Sequence, residues 1–596
     1  MAQTASSELG QMEFQAGELR EAFQDRREAE IDFFQTRLAP DPERGGAYDI
    51  AANLYRGTNL EWANTRLNAI MEAPRGDMFW MFPFTTVMFN GVEQLPESTQ
   101  QKVRDVWRTY QPYRGDTENH WALYYATLYL AAQKYPGEPG ETWFTGKSSQ
   151  ENFDEAEEWL HHWMDLTTTR GQGEYDSSHY LKVYIAPMAL LYAYAEDPEM
   201  RLRAEMMLDY ITADWAVELL AGHYGGGHSR VYEREAIAPG KASATRFAGL
   251  FFGQAPHMPS GETFIAAVSG YEPPLILHAI ATDRSAPYTH RETKRTRHRF
   301  RFSEVQNAPV YKTSFVRPEY ILGSTHGGLL QPIQQQTWGW QWAAADRVEA
   351  RNVVTSLHPY ASDIEMGMYF AELREFIVEI VVRSKREYDS PDKITGGSPY
   401  EQVMQHEDAL IALYDIAPDD EHPHINAFFP DELAEFSEDE SGWIFGRGGD
   451  GYIAVYPLQP YEWQDKEDYL EEGRMHRLLY SPHVKNGLVV QTAPVPRYRS
   501  MAAFQEAVRA LPLETLTEPV PSVQFTTLSG HQLEATYGVA PVIDGEAVDY
   551  EAWPLFDGPF AQAAVGSRQL ELRYGPLRRM LDFNTLSIRE WVVPTE

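Results

Sequence analysis

The feature that most constrains this chain is a change of periodicity near residue 285. From about residue 48 to 282, apolar residues recur at helical spacing in "YDIAANLYRGTNLEWANTRLNAIME", "TQQKVRDVWRTYQ", "NFDEAEEWLHHWMDLTT", "SHYLKVYIAPMALLYAYAED" and "PEMRLRAEMMLDYITADWAVELLAGHYGG", each closed off by Gly, Pro or Asp. Consecutive helices on short loops suit helical hairpins packed into a toroid. Beyond the change, "PVYKTSFVRPEYILGSTHGG", "REFIVEIVVRS", "ALIALYDIAP", "GWIFGRGGDGYIAVYPLQ" and "NGLVVQTAP" are short β-rich runs bounded by Gly, Pro and Asp, with no long helices between them. That pattern predicts a β-sandwich. Between the two textures lies "RSAPYTHRETKRTRHRFRF", basic and without an apolar face, which reads as a linker or exposed arm.

The expected organisation is a helical extension over 1–47, an (α/α) toroid over 48–284, a basic linker over 285–301 and an antiparallel β-sandwich over 302–596. A length of 596 residues with 43% hydrophobic content is enough for more than one buried core. The net charge of −36 repels nucleic-acid phosphates and anionic membranes, so neither is an expected partner. No apolar run reaches the roughly 18 residues that a membrane-spanning helix needs. With no cysteine, any chemistry must use oxygen and nitrogen groups. The start "MAQTASSELG" lacks the basic and apolar regions of a signal peptide. A periplasmic or secreted location is expected if a leader has been removed, with a cytoplasmic one left open.

One stretch, "RGDTENHWALYYATLYLAAQKYPG", opens a helix with a polar first turn and continues almost wholly apolar. With Asp116 or Thr117 as N-cap, Asn119 and His120 fall in the opening turns, where free N–H groups and the helix dipole favour an anion. Further on, "GEYDSSHYLKVY" places Tyr175 and Tyr180 in a polar cluster with Glu174, Asp176 and His179, and "GGGHSRVYERE" adds His228, Arg230 and Tyr232 on a glycine-rich loop.

An all-helical first half, a β-rich second half and "TENHW" at a helix mouth followed by "EYDSSHY" together resemble the heparinase II/III-like and alginate-lyase-like polysaccharide lyases. The resemblance implies a helical toroid plus β-sandwich, an anionic uronate polysaccharide as substrate, and β-elimination. It implies Asn119, His120 and Arg230 as neutralisers of the substrate carboxylate and a His or Tyr as base and acid, with Tyr180 preferred and Tyr175 second. Glu118, His179, His228, Tyr232 and His326 are the implied substrate contacts. Members often carry a His-x-His-x-Asp-like metal stretch in the β-domain. Here "GSTHGGLLQP" offers the single His326, so neither metal nor other cofactor is expected.

The chemistry asks for such groups. The C5 proton of a uronate is weakly acidic because the neighbouring carboxylate is already negative. Donors must neutralise that charge before a base removes the proton and an acid protonates the departing C4 oxygen. Simpler roles stand beside these: Thr117 or Asp116 as a mere cap, Arg230 in a loop-closing ion pair, and Trp338, Trp340 and Trp342 as core at strand period. Two other functions compete. A toroidal glycoside hydrolase would draw paired carboxylates from Glu118, Glu174 and Asp176, and a non-catalytic protein would only bind carbohydrate.

Overall fold

The computed structural model describes residues 2–38, 46–74, 78–109, 114–115, 117–296, 309–327, 334–361 and 386–593. Its helices are α1 (Ala2–Arg37), α2 (Gly46–Arg56), α3 (Leu60–Glu72), α4 (Met78–Phe89), α5 (Glu97–Thr109), α6 (Glu118–Lys134), α7 (Ser149–Arg170), α8 (Lys182–Tyr194), α9 (Pro198–Ala216), α10 (Glu233–Ile237), α11 (Ser243–Phe247), α12 (Gly261–Ser269) and α13 (Leu275–Thr282). Several start where local chemistry dictates. Ser148 and Glu151 form a reciprocal capping box on α7, and Asp197 accepts from two backbone N–H groups ahead of Pro198 on α9.

Helices α2, α4, α6 and α8 pack side by side, α12 packs on α8, and α1 packs on both α12 and α2, which closes a ring. Helices α3, α7 and α9 back onto α2, α6 and α8 from outside, as in the expected toroid. The extension is therefore part of the ring: Phe34 of α1 is buried between Tyr48 and Phe264. Among the described residues no helix is long and apolar enough to cross a membrane.

The second half is antiparallel β. A 13-stranded sheet stacks on a six-stranded one around a core that contains Trp338, Trp340, Trp342, Ile453 and Val490, so the three tryptophans are core. The outer face of the six-stranded sheet is covered by the helix Met501–Arg509 and a five-stranded sheet. The run "REFIVEIVVRS" lies outside the described residues.

The basic stretch is not a linker where it is described. Tyr288–Arg295 is a strand of the large sheet, paired along its whole length with Pro309–Val316. Strand alternation sends His290, Glu292 and Lys294 to one face, where all three are buried: Glu292 lies 2.7 Å from His290 and 3.1 Å from Lys294, and Lys294 also reaches Asp214 of α9 at 2.6 Å. Residues 297–301 lie outside the described residues. The C-terminal strands also return to the helices: Leu570, Leu572 and Phe583 join the helical core, and Arg579 donates to the buried Asp209 of α9 at 2.9 Å.

Candidate active site

Three segments converge beside the mouth of the ring: the loop between α7 and α8, the loop from His223 to α10, and a piece of the β-half around Gln334–Gln336 and Tyr388. Glycine makes the approach possible. Gly226 adopts φ +104°, and a Cβ on Gly323 would lie 2.4 Å from the Gly226 Cα, so the loop backbone rests directly on the strand Tyr320–Gly327. Just beyond, His228 and Ser229 pair with Gln336 and Gln335. The chain then turns at Arg230, a non-glycine residue at φ +51°.

That turn delivers Arg230 onto Tyr180. The guanidinium carbon lies 4.6 Å from the Tyr180 ring centre, and Arg230 is only 4% exposed. The Tyr180 hydroxyl is 2.6 Å from the Tyr232 hydroxyl. The His179 ring stands edge-on to both tyrosines, at 4.7 and 4.8 Å. His179 Nδ1 is 2.8 Å from Glu235 Oε1. An ionised carboxylate only accepts, so Nδ1 carries the hydrogen and Nε2 keeps its lone pair. Arg234 donates to the same Glu235 oxygen at 2.7 Å and lies over the Tyr232 ring.

Protonation states follow from burial and these partners. Burial holds His179 below its usual value, opposed by Glu235. Burial raises Tyr180 well above an ordinary phenol, opposed by Arg230 and reinforced by Tyr232. At neutral pH the site therefore offers a neutral imidazole and a neutral phenol side by side. Burial also pushes up Glu235, but His179 and Arg234 more than offset it and hold it below the usual carboxylate range.

Behind Arg230 sits Glu174, fully buried. It accepts from Asn119 Nδ2 at 2.6 Å and from the Tyr184 hydroxyl at 3.0 Å, and its other oxygen is 3.6 Å from Arg230 Nε. Asn119, itself completely buried, is thus linked to Arg230 through Glu174. Thr117 is the cap of α6, its hydroxyl accepting from His120 N–H; Asp116 lies outside the described residues. His120 is half-buried, edge-on to Phe79 and packed over Gly115.

Other expected site residues are engaged within the fold. Tyr175 is wholly buried against Val310, and burial raises its hydroxyl far above the usual value. His228 lies under the loop with Nδ1 2.8 Å from the Asp176 carbonyl, and burial lowers it to about 4. His326 projects from its strand opposite to Thr325 and stacks on Tyr550 at 4.4 Å. Glu118 accepts from Trp163 Nε1 at 2.9 Å, from Arg295 at 2.5 Å and from the Glu174 backbone N–H at 2.6 Å. With Asp176 taken by Lys312 at 2.8 Å and Tyr224 at 2.9 Å, every carboxylate offered for a hydrolase pair is engaged internally.

Two groups of the site carry no signal in the sequence. Glu235 sits in "YEREA", one charge among several. Tyr388 comes from the β-half, accepts from Gln334 at 2.9 Å and lies within electrostatic reach of Tyr232, Arg230 and Tyr180. No local motif marks it.

The Tyr180 loop is anchored from below by a buried ion cluster. Asp176 (at φ +48°), Asp214 and Glu218 of the helical half meet Glu292, Lys294 and Lys312 of the β-half. Lys294 is 2.6 Å from Asp214 and 3.3 Å from Asp176; Lys312 reaches Asp176 and Glu218. Four carboxylates surround two ammonium groups. Burial raises Glu218 to about 7, opposed by Lys312.

Metal-ligand atoms gather within 4.8 Å in three places among the described residues: His406, Glu407 and His531; Asp389, Glu421 and His422; and Asp176, Asp214 and Glu292. The third is occupied by lysine ammonium groups. The second lies in part in "EHPHIN", a His-x-His stretch of the β-half whose other histidine, His424, donates from Nε2 to the Pro391 carbonyl at 2.8 Å.

No protein-family model and no curated protein matches the sequence. Among solved structures the chain is similar to a heparinase III, at 9% identity over 87% of this chain and 90% of that one, with a TM-score of 0.38. It is also similar to the chondroitin AC lyase of Streptomyces coelicolor A3 in complex with chondroitin sulphate, at 11% identity over 95% of this chain and 88% of that one, with a TM-score of 0.47.

Proposed function

We propose that the protein is a polysaccharide lyase that cleaves a uronate-containing glycan by β-elimination. The observation that carries this reading is the Tyr180–Tyr232 hydroxyl pair, 2.6 Å apart, beneath the Arg230 guanidinium and beside the His179–Glu235 pair. Arg230 supplies the fixed charge that neutralises the substrate carboxylate and makes the C5 proton removable. Its orientation is set by Glu174, which Asn119 and Tyr184 hold in turn.

His179 is the base. Its Nε2 lone pair takes the C5 proton while Glu235 stabilises the imidazolium that forms. Tyr180, kept protonated by burial, gives its proton to the C4 oxygen as the C4–O bond breaks, and Tyr232 supports the phenolate. The C5–H electron pair becomes the C4=C5 double bond, and no water is consumed. Proton return from His179 to Tyr180 completes the cycle.

The test is the product. Incubation with anionic glycans yields a 4,5-unsaturated uronate that absorbs in the near ultraviolet. Saturated reducing ends appearing without that absorbance refute the reading in favour of hydrolysis; binding without either product identifies a carbohydrate-binding protein.

A further inference from the structure

Beside the candidate centre, the hairpin between the strands Glu462–Glu467 and Met475–Ser481 leans on α10. Lys466 on its first strand is 2.9 Å from Glu233. Asp468, at the base of the hairpin tip, is locked by Arg351 at 2.6 and 3.0 Å and by His476 at 2.9 Å, and it accepts from the Leu470 and Glu471 backbone N–H groups. The tip is therefore rigid at its root. The next residue, Tyr469, is 51% exposed. Its hydroxyl lies within electrostatic reach of Glu387, Arg234, Glu233 and Glu235, and the Lys466–Glu233 contact at 2.9 Å fixes its hairpin beside α10, which carries Arg234 and Glu235. Arg234 is committed to Glu235 and Tyr232 on one side, while 41% of its side chain remains exposed.

We propose that Tyr469 and Arg234 form a sugar subsite next to the bond-breaking position, Tyr469 stacking on a pyranose ring and Arg234 taking that ring's anionic substituent. The proposal rests on the reading of the site as one for anionic glycans. An exposed aromatic face held on a pinned turn supplies contact area with little ordering cost, and an arginine already oriented by a carboxylate and a ring suits a planar anion.

The probes are hexasaccharides of chondroitin sulfate, which carry sulfate and carboxylate, and of alginate, which carry carboxylate alone. Binding is measured by titration calorimetry on the Tyr180→Phe protein, and KM and kcat are measured on the otherwise wild-type chain. Tyr469→Ala is expected to weaken binding and raise KM about 3–10-fold, as for the loss of an aromatic contact, with kcat unchanged. Arg234→Gln is expected to weaken binding of the sulfated hexasaccharide more than that of alginate if the anion is sulfate, and both equally if it is carboxylate. Unaltered binding and KM in Tyr469→Ala, or wild-type protein that binds neither hexasaccharide, overturns the subsite. Wild-type binding that Tyr469→Ala weakens, without unsaturated product, sinks the lyase reading and leaves the subsite standing.

Discussion

Replacing Lys312 by methionine should expose how the two halves of the molecule are held together. Lys312 is 2.8 Å from Asp176, contacts Glu218 and is 3.9 Å from Glu292, with a side chain 1% exposed. Removing one partner of a buried ionic group leaves uncompensated charge and costs about 3–5 kcal/mol. Here the excess is already negative, and the Lys312→Met variant would leave four carboxylates facing Lys294 and His290. The cluster can recover only by taking up a proton, and Glu218, raised to about 7 even with Lys312 present, is the group placed to do so. At pH 8 wild-type Glu218 is mostly ionised and the variant is forced to bind one more proton than wild type. At pH 6 Glu218 is protonated in both. The loss should therefore shrink by up to about 1.4 kcal/mol between pH 8 and pH 6. Urea unfolding followed by tryptophan fluorescence measures both values. Glu218→Gln added to Lys312→Met should restore part of the stability at pH 8 and flatten the pH dependence. A loss that is equal at the two pH values, or below about 1 kcal/mol, would refute this account of the cluster.

Tyr180→Phe should lower kcat by about 10²–10⁴-fold while Tyr175→Phe leaves it near wild type, since only Tyr180 reaches Arg230 and Tyr232; the reverse ranking in a near-ultraviolet product assay moves the acid to Tyr175. Glu235→Gln removes the group that raises His179, so the acid limb of the kcat/KM profile should move to lower pH as the maximal rate falls; an unmoved limb means His179 is not the titrating base. Glu401, buried and accepting from Tyr414 and Thr337 at 2.8 Å each, is raised to about 7. A carboxyl whose folded pKa is raised stabilises the fold below its ordinary value relative to neutral pH, so wild-type stability should fall between about pH 4.5 and 7, and Glu401→Gln should remove about 3 kcal/mol of that fall. An unchanged melting-temperature slope across that range in the variant would count against the burial argument.

Helix and strand periodicity carried most of the fold because each depends on local spacing of apolar side chains, and the ring, the stacked sheets and the core tryptophans all follow from it. The basic stretch failed for the opposite reason. In "YTHRETKR" the signal is not apolarity but alternation: His290, Glu292 and Lys294 occupy one face of a strand, and their burial depends on one another, on Lys312 of the next strand, and on Asp176 and Asp214 from sequence more than 70 residues away. A buried charged strand looks solvent-facing until its partners are known. The lone lysine in "PVYKTSFV" was the available hint, since Lys312 interrupts an otherwise apolar and hydroxyl-bearing run.

The site shows the same division. Tyr180, Arg230 and Tyr232 do meet one another, because glycine-rich and polar clusters at element junctions deliver their side chains to a common space. The helix mouth that Asn119 occupies is filled by Glu174, so the anion held there is the protein's own, and Glu174 in turn lies 3.6 Å from Arg230. Residues adjacent in sequence face different surroundings: Asn119 turns inward while His120 packs on Phe79, and Tyr175 enters the core while Tyr180 meets the arginine. The choice among adjacent polar residues is made by the direction of one helical turn and by contacts from Gln335 and Gln336 across the β-half, so it belongs to tertiary structure and not to motif.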